Sequence, residues 1–145
     1  MSIARLEPKH LLGVAALEKK VFATPWSEKS LELLCTENGF GFVALEGDTV
    51  TAYGGMLTVL DEGQITNIAT HPNSRRQGLA AKVLSALLEQ ARAKGIASVT
   101  LEVRVSNQAA IALYQKFGFS VVGKRVRFYT HPTEDALIMQ CTLTS

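Results

Sequence analysis

Cysteine is scarce in this chain, with Cys35 and Cys141 its two representatives. Two cysteines cannot build the disulfide framework of a small secreted domain, so both are expected as reduced, mostly buried thiols. Histidine is thin as well. His10, His71 and His131 stand at no ligand spacing with each other or with the cysteines, so no metal is expected. Long apolar runs are missing too. Leu11 to Leu17, the longest near the start, is far short of the ~20 residues that span a bilayer. Met1 to Pro8 lack the basic start, apolar centre and small-residue cleavage site of a signal peptide. Charge is modest: 15 Lys+Arg against 13 Asp+Glu leave a net +2, too little to indicate nucleic-acid binding. These absences predict a soluble, cytoplasmic protein without a membrane, metal or nucleic-acid partner.

What is present is core. Hydrophobic residues make up 47% and charged ones 19%, a balance that argues against disorder. The 145 residues suit one domain, 1–145, with no repeat or low-complexity tract. A domain of that size buries about 68–70% of its unfolded surface and needs no covalent staple.

The patterning alternates between two periods. Ile3–Leu6 reads as an edge strand, and Pro8 opens a helix whose Leu11, Val14, Leu17 and Val21 share a face to about Phe22. Thr24-Pro25-Trp26 breaks it. Ser27 then caps a short helix with Leu31, Leu34 and Cys35 on its apolar side. Phe40–Leu45 and Val50–Leu60 read as a hairpin, with Gly54-Gly55 marking a bulge or a close backbone approach. Gln64–Thr70 is the next strand. A long helix follows from near Arg76 to Gly95, with Leu79, Val83, Leu87 and Ala91 on one stripe. Ser98–Val105 is a strand, Asn107–Lys116 a helix stopped by Gly118, and Phe119–Arg127 and Ala136–Thr142 are strands. The order is that of an α/β fold, a mixed central sheet of six to seven strands flanked by about four helices.

Chemistry concentrates at two places. The first is the strand–loop–helix join from Ile68 to Ala81. A helix start leaves four N–H groups unpaired and carries about half a positive charge, which suits phosphate. Gly78 removes a side chain so that a diphosphate can approach the backbone, and Arg75 and Arg76 add positive charge. Neither a P-loop nor a dinucleotide Gly-x-Gly-x-x-Gly is present, which points to coenzyme A as the diphosphate ligand. The second place is Leu101-Glu102-Val103. Its alternation sends Glu102 away from the apolar face of the strand, beside Thr100 and Arg104. A carboxylate in mid-strand is costly unless it is used or paired, and Arg104 is its same-face neighbour. Tyr114 and Asn107 lie on the helix that follows. On their own they read as a core aromatic and a helix cap.

Taken together, Leu101-Glu102-Val103-Arg104, Ser106-Asn107, Ala110-Ile111, Leu113-Tyr114 and Gly118-Phe119 resemble the GNAT superfamily of acyl-CoA N-acyltransferases. Arg75-x-x-Gly78-x-Ala80 is similar to that superfamily's diphosphate signature, and the element order agrees over nearly the whole chain. Phe22 to Glu28 with its Pro25-Trp26, Asn67-Ile68-Ala69 and Asn107 through Tyr114 resemble more narrowly the ribosomal-protein-alanine N-acetyltransferase family. The resemblance implies acetyl-CoA as co-substrate. Ile68, Ala69 and Thr70 would contact its acyl-pantetheine part. Arg76, Gln77, Gly78, Leu79, Ala80 and Ala81 would hold its diphosphate, and Asn107 would reach it from the fourth helix. Glu102 would be the base and Tyr114 the acid. The implied acceptor is a protein N-terminus, the alanine that begins small-subunit ribosomal protein eighteen. Thr70 departs from the branched aliphatic common in the family, and Ala80 from its glycine.

The residue types suit that reaction. An α-amine has a pKa of about 7.7–8.0 and is roughly one-tenth neutral at pH 7, whereas lysine, near about 10.4, is almost wholly charged. A carboxylate is therefore an adequate base for an α-amine. Tyr114 can protonate a thiolate leaving group, and backbone N–H groups around Ile68 and Ala69 are candidates to hold the oxyanion. Direct transfer in a ternary complex needs no cysteine nucleophile. Phe22–Ser27 and Arg125–Asp135 are the irregular stretches expected to frame the acceptor, with Trp26 and Tyr129 as candidate anchors. Lys124, Arg125 and Arg127 read as a solvated edge that discourages strand pairing. Two alternatives share these residues: a small-molecule amine as acceptor, or a non-catalytic acyl-CoA-binding module.

Overall fold

Pro8 does open a helical segment, but as a single 3-10 turn, Pro8–His10, before helix α1 (Leu11–Val21) begins. The Glu7 amide donates to His10 Nδ1 at 2.9 Å, which closes that turn. Ser27 caps the next segment as expected: its Oγ accepts from the Ser30 amide at 3.1 Å. Helix α2 is one turn, Glu28–Leu31, continued as a 3-10 turn over Glu32–Cys35. Helix α3 spans Leu79–Ala93, starting later than Arg76, and α4 spans Gln108–Lys116. The strands are β1 (Ser2–Arg5), β2 (Gly39–Glu46), β3 (Thr49–Val59) and β4 (Glu62–Thr70). They continue as β5 (Ser98–Arg104), β6 (Ser120–Tyr129) and β7 (Glu134–Thr142). This computed structural model describes residues 1–143.

All seven strands join one sheet in the order β1-β2-β3-β4-β5-β7-β6. Only β4 and β5 are parallel; the other neighbours run antiparallel. A parallel pair needs a crossover, and α3 provides it. Alternation along each strand divides the core in two. Val43, Val50, Tyr53 and Ala69 face α1 and α2, where Val14, Leu17, Leu31 and Leu34 are buried. Ala52, Met56, Ile65, Val99 and Leu101 face the other way, against Val83, Leu84, Leu87 and Leu88 of α3 and Tyr114 of α4.

The paired glycines have a divided explanation. Gly54 is the close approach: a Cβ there would lie 2.7 Å from Val83 Cγ1 and 2.9 Å from Leu87 Cδ1, so its absence lets α3 lie against β3. The bulge belongs to the facing strand. Gly54 pairs with Ile68 and Met56 with Ile65, so β4 carries the extra residue, around Thr66 and Asn67. Cys35 corrects its expectation. It sits at the exposed end of the 3-10 turn, while Leu31 and Leu34 take the core positions; Cys141 is buried as expected. A Gly54→Val change overpacks the α3–β3 contact and is expected to cost about 1–3 kcal/mol. Urea unfolding should show a lower midpoint at an unchanged slope.

Candidate active site

Strands β4 and β5 are paired over only three residues, Glu62, Gln64 and the Gly63 between them, against Ser98, Thr100 and Val99. Beyond Gln64 and Thr100 the strands separate, while β4 stays paired to β3 and β5 to β7. A wedge therefore opens at their C-terminal ends, the end at which open α/β sheets take ligands. Ile68, Ala69 and Thr70 line it from β4, and Glu102 lines it from β5. Ala69 is 2% exposed with its side chain in the core, so its contribution to the wedge is its backbone.

The loop at the wedge's mouth has the form an anion requires. Gly78 is the N-cap of α3 with φ 72°, no side-chain cap bond, and no acidic residue in the first turn. A Cβ on Gly78 would meet nothing within 4 Å, so the space above the loop is open. Arg76 also holds a left-handed φ, 67°, which costs a non-glycine residue roughly 1 kcal/mol. Left-handed residues at Arg76 and Gly78 thus bracket Gln77 in a tight loop, the kind of turn whose amide N–H groups can form a nest for phosphate oxygens. Arg76, Gln77 and Gly78 are exposed there, Ala80 and Ala81 half-buried, and Leu79 points into the core and offers only its amide. These residues fit a diphosphate. Asn107 caps α4, its Oδ1 accepting from the Ala110 amide at 3.2 Å.

Glu102 does not pair with Arg104. Gln64 Nε2 donates to Glu102 Oε1 at 3.0 Å across the closed end of the wedge, and Arg125 Nε lies 3.7 Å from Oε2. Arg125 is exposed, as expected of a solvated edge residue, and it also reaches the Glu102 carboxylate. Lys124 pairs with Asp135 at 3.2 Å. Arg104 serves the β6–β7 turn instead. Its Nη1 reaches Glu134 Oε1 at 3.1 Å and donates to the Pro132 carbonyl at 2.9 Å. Its Nη2 donates to the Thr130 carbonyl at 2.8 Å, and the guanidinium stacks 4.5 Å over the Tyr129 ring. β5 thus adds its own hold on the turn to the Tyr129–Glu134 pairing of the hairpin itself.

Glu102 faces the α1–α2 side of the sheet, and Tyr114 packs under the other side with its ring 5.8 Å from Phe119. Tyr129 connects them. Burial, then the Glu102 charge, pushes the Tyr129 hydroxyl up to about 12. Burial, then Tyr129, raises the Tyr114 hydroxyl well above the usual tyrosine range. Both therefore hold their protons at neutral pH. Trp26 is half-buried against the α1–α2 core, and its amide donates to Glu18 Oε1 at 2.8 Å. Glu18 and Gln64 escape sequence reasoning. Glu18 looks like one more charged residue on a helix, and Gln64 acquires its role only from strand register.

A seven-stranded mixed sheet with one splayed parallel pair, an exposed helix start and a carboxylate in the splay is a layout that fits an acyltransferase. The family model described as acetyltransferase (GNAT) family matches residues 11–119, and the chain belongs to that family. It is 37% identical over 140 residues, 95% of either chain, to the ribosomal protein bS18-alanine N-acetyltransferase of Escherichia coli strain K12. The Salmonella typhimurium enzyme of the same name is 35% identical over 142 residues, again 95% of each. A crystal structure of the E. coli ribosomal-protein alanine N-acetyltransferase superposes with a TM-score of 0.91 at 36% identity, covering 99% of this chain and 94% of that one.

Ser106, whose amide donates to Glu134 Oε2 at 2.7 Å, and then Arg104 hold the Glu134 carboxyl below its ordinary range. A depressed carboxyl contributes stability above its unfolded value of about 4.3 and loses it as pH falls through the lower folded value. Hydrogen exchange over residues 130–134 is therefore expected to stay slow at pH 5–7, after correction for intrinsic rates, and to accelerate below about pH 4. In Glu134→Gln that acid-driven increase should vanish.

Proposed function

We propose that this chain transfers the acetyl group of acetyl-CoA to a protein N-terminal amine, with the N-terminal alanine of ribosomal protein bS18 as acceptor. The observation that carries the reading is the wedge: an exposed phosphate-ready loop on one lip and Glu102 on the other. The bS18-alanine N-acetyltransferase relatives, matched over nearly the whole chain, supply the acceptor. We read residues 1–145 as one catalytic domain acting in the cytoplasm; among the described residues no helix is long and apolar enough to cross a membrane.

Acetyl-CoA would supply an activated acyl thioester. The amides of Arg76 to Ala81 would hold its diphosphate, with the Arg76 side chain adding charge. The β4 backbone at Ile68, Ala69 and Thr70, unpaired on the β5 side, would receive the acyl-pantetheine end. Asn107 spends its oxygen on the helix cap and keeps its amide nitrogen for the ligand. Glu102 would attract the incoming ammonium and take its proton, with Gln64 fixing the carboxylate's orientation. Tyr114 would return a proton to the departing sulfur. Burial keeps that proton in place until it is needed, at some cost in driving force. Tyr129, held by Arg104, and Trp26 would flank the peptide.

The decisive assay is CoA release with a peptide that begins with free alanine, against the same peptide N-terminally blocked and carrying a lysine. Turnover of the free-alanine peptide is expected; turnover of only the blocked one, or of only small free amines, refutes the α-amine acceptor. Glu102→Gln and Tyr114→Phe should each lower kcat by about 10²-fold or more. Calorimetric affinity for CoA should stay within twofold of wild type in both.

A further inference from the structure

Glu18 is a charged residue with no exposed surface, 0%, in the middle of the α1 interface with the sheet. None of the ion pairs among the described residues includes it. Its compensation is three neutral donors. The Trp26 amide donates to Oε1 at 2.8 Å, Asn67 Nδ2 donates to Oε2 at 2.9 Å, and the Tyr53 hydroxyl donates to Oε2 as well. The Tyr53 hydroxyl is itself driven far above its ordinary range, by burial and then by the Glu18 charge, so it remains a donor at every working pH.

For stability alone this is a poor choice. A buried carboxylate carries a desolvation penalty of several kcal/mol, and a well-packed apolar side chain in its place is often as stable or more so. What an apolar residue could not do is hold these three donors together. They come from three separate segments: the irregular loop after α1, the centre of β3, and the bulge of β4. Asn67 is the residue immediately before Ile68-Ala69-Thr70, the stretch read above as receiving the acyl group. Trp26 belongs to the loop read above as flanking the acceptor. One carboxylate thus spans the donor side and the acceptor side of the wedge. Because a bulge interrupts the β3–β4 ladder at this point, ladder hydrogen bonds alone do not set the position of Asn67.

We propose that Glu18 is a positioning residue that sets the acceptor loop at Trp26 relative to the acyl-receiving segment of β4. The inference rests on the acetyltransferase reading for the roles of the two segments, but not for the tie itself. The chain contains a single tryptophan, Trp26, so its emission reports on this loop alone. Glu18→Gln keeps the shape and turns one acceptor oxygen into a donor, which leaves either Trp26 or the Asn67–Tyr53 pair facing an N–H.

In the full-length protein, with folding checked by circular dichroism, Glu18→Gln is expected to shift Trp26 emission to the red. Acrylamide quenching should increase about twofold. The KM for the free-alanine peptide should rise about tenfold, while the KM for acetyl-CoA stays within twofold. Asn67→Ala added to Glu18→Gln should cost much less than it does alone, because the two act through one contact. Wild-type emission and quenching in Glu18→Gln, or additive effects of the two changes, would overturn the proposal and leave Glu18 a packing residue. If Glu18→Gln does not fold, Tyr53→Phe carries the test: the same direction of change in Trp26 is expected, and none overturns it. Absence of peptide turnover by the wild type would refute the acceptor reading alone, since the fluorescence readout needs no acceptor.

Discussion

The separation of β4 from β5 after three paired residues is the constraint from which the rest of this molecule follows. A continuous parallel ladder would satisfy the backbone groups of both strands and close the sheet. Here the strands part, and the β4 backbone beyond Gln64 is left without a partner on that side. Unpaired backbone groups away from water are costly, so such a gap persists where a ligand or solvent satisfies it. The outer strands keep the gap open from either side, because β4 remains bound to β3 and β5 remains bound to β7. The crossover helix α3 then has to start at the open end, which brings its unpaired amides and the left-handed Arg76 and Gly78 to the same mouth.

Polar side chains, not apolar packing, set the geometry around the wedge. Gln64 spans its closed end to Glu102, Arg104 holds the β6–β7 turn with Tyr129, and Glu18 gathers three donors on the opposite flank. Each of these groups ties its own segment to another, and Glu18 ties its helix to three. Apolar clusters on the two faces of the sheet hold the layers together, but they tolerate sliding that a directed hydrogen bond does not. Tyr129 shows the consequence: the stacked guanidinium places it where the charge of Glu102 is felt, and it in turn raises Tyr114.

Much of this was legible in the linear sequence. The helical stripe from Leu79 to Ala91 and the alternation of Val99, Leu101 and Val103 predict α3 and β5 correctly, since burial on one face imposes its period on the chain. The Gly78 turn and the outward direction of Glu102 follow from the same local rules. Boundaries were less legible. The start of α3 slid from Arg76 to Leu79 because the loop takes left-handed conformations at Arg76 and Gly78, and an arginine carries no mark of that. Pairings were the least legible. Arg104 looked like the partner of Glu102, its neighbour on the strand, yet a turn 28 residues away offers it two carbonyls' worth of geometry and a carboxylate.

The sequence by itself determined the periods, the turns and the chemical types: which residues are apolar and at what spacing, where a glycine allows an approach, and that one carboxylate stands in mid-strand. Those are local properties, and local sterics and burial decide them. Only the tertiary structure decided that β4 and β5 part, that the extra residue of the Gly54-Gly55 bulge lies on β4, and that Glu18 is buried under three donors. Strand register and side-chain partnership depend on segments dozens of residues apart, and no one segment carries the information for both partners.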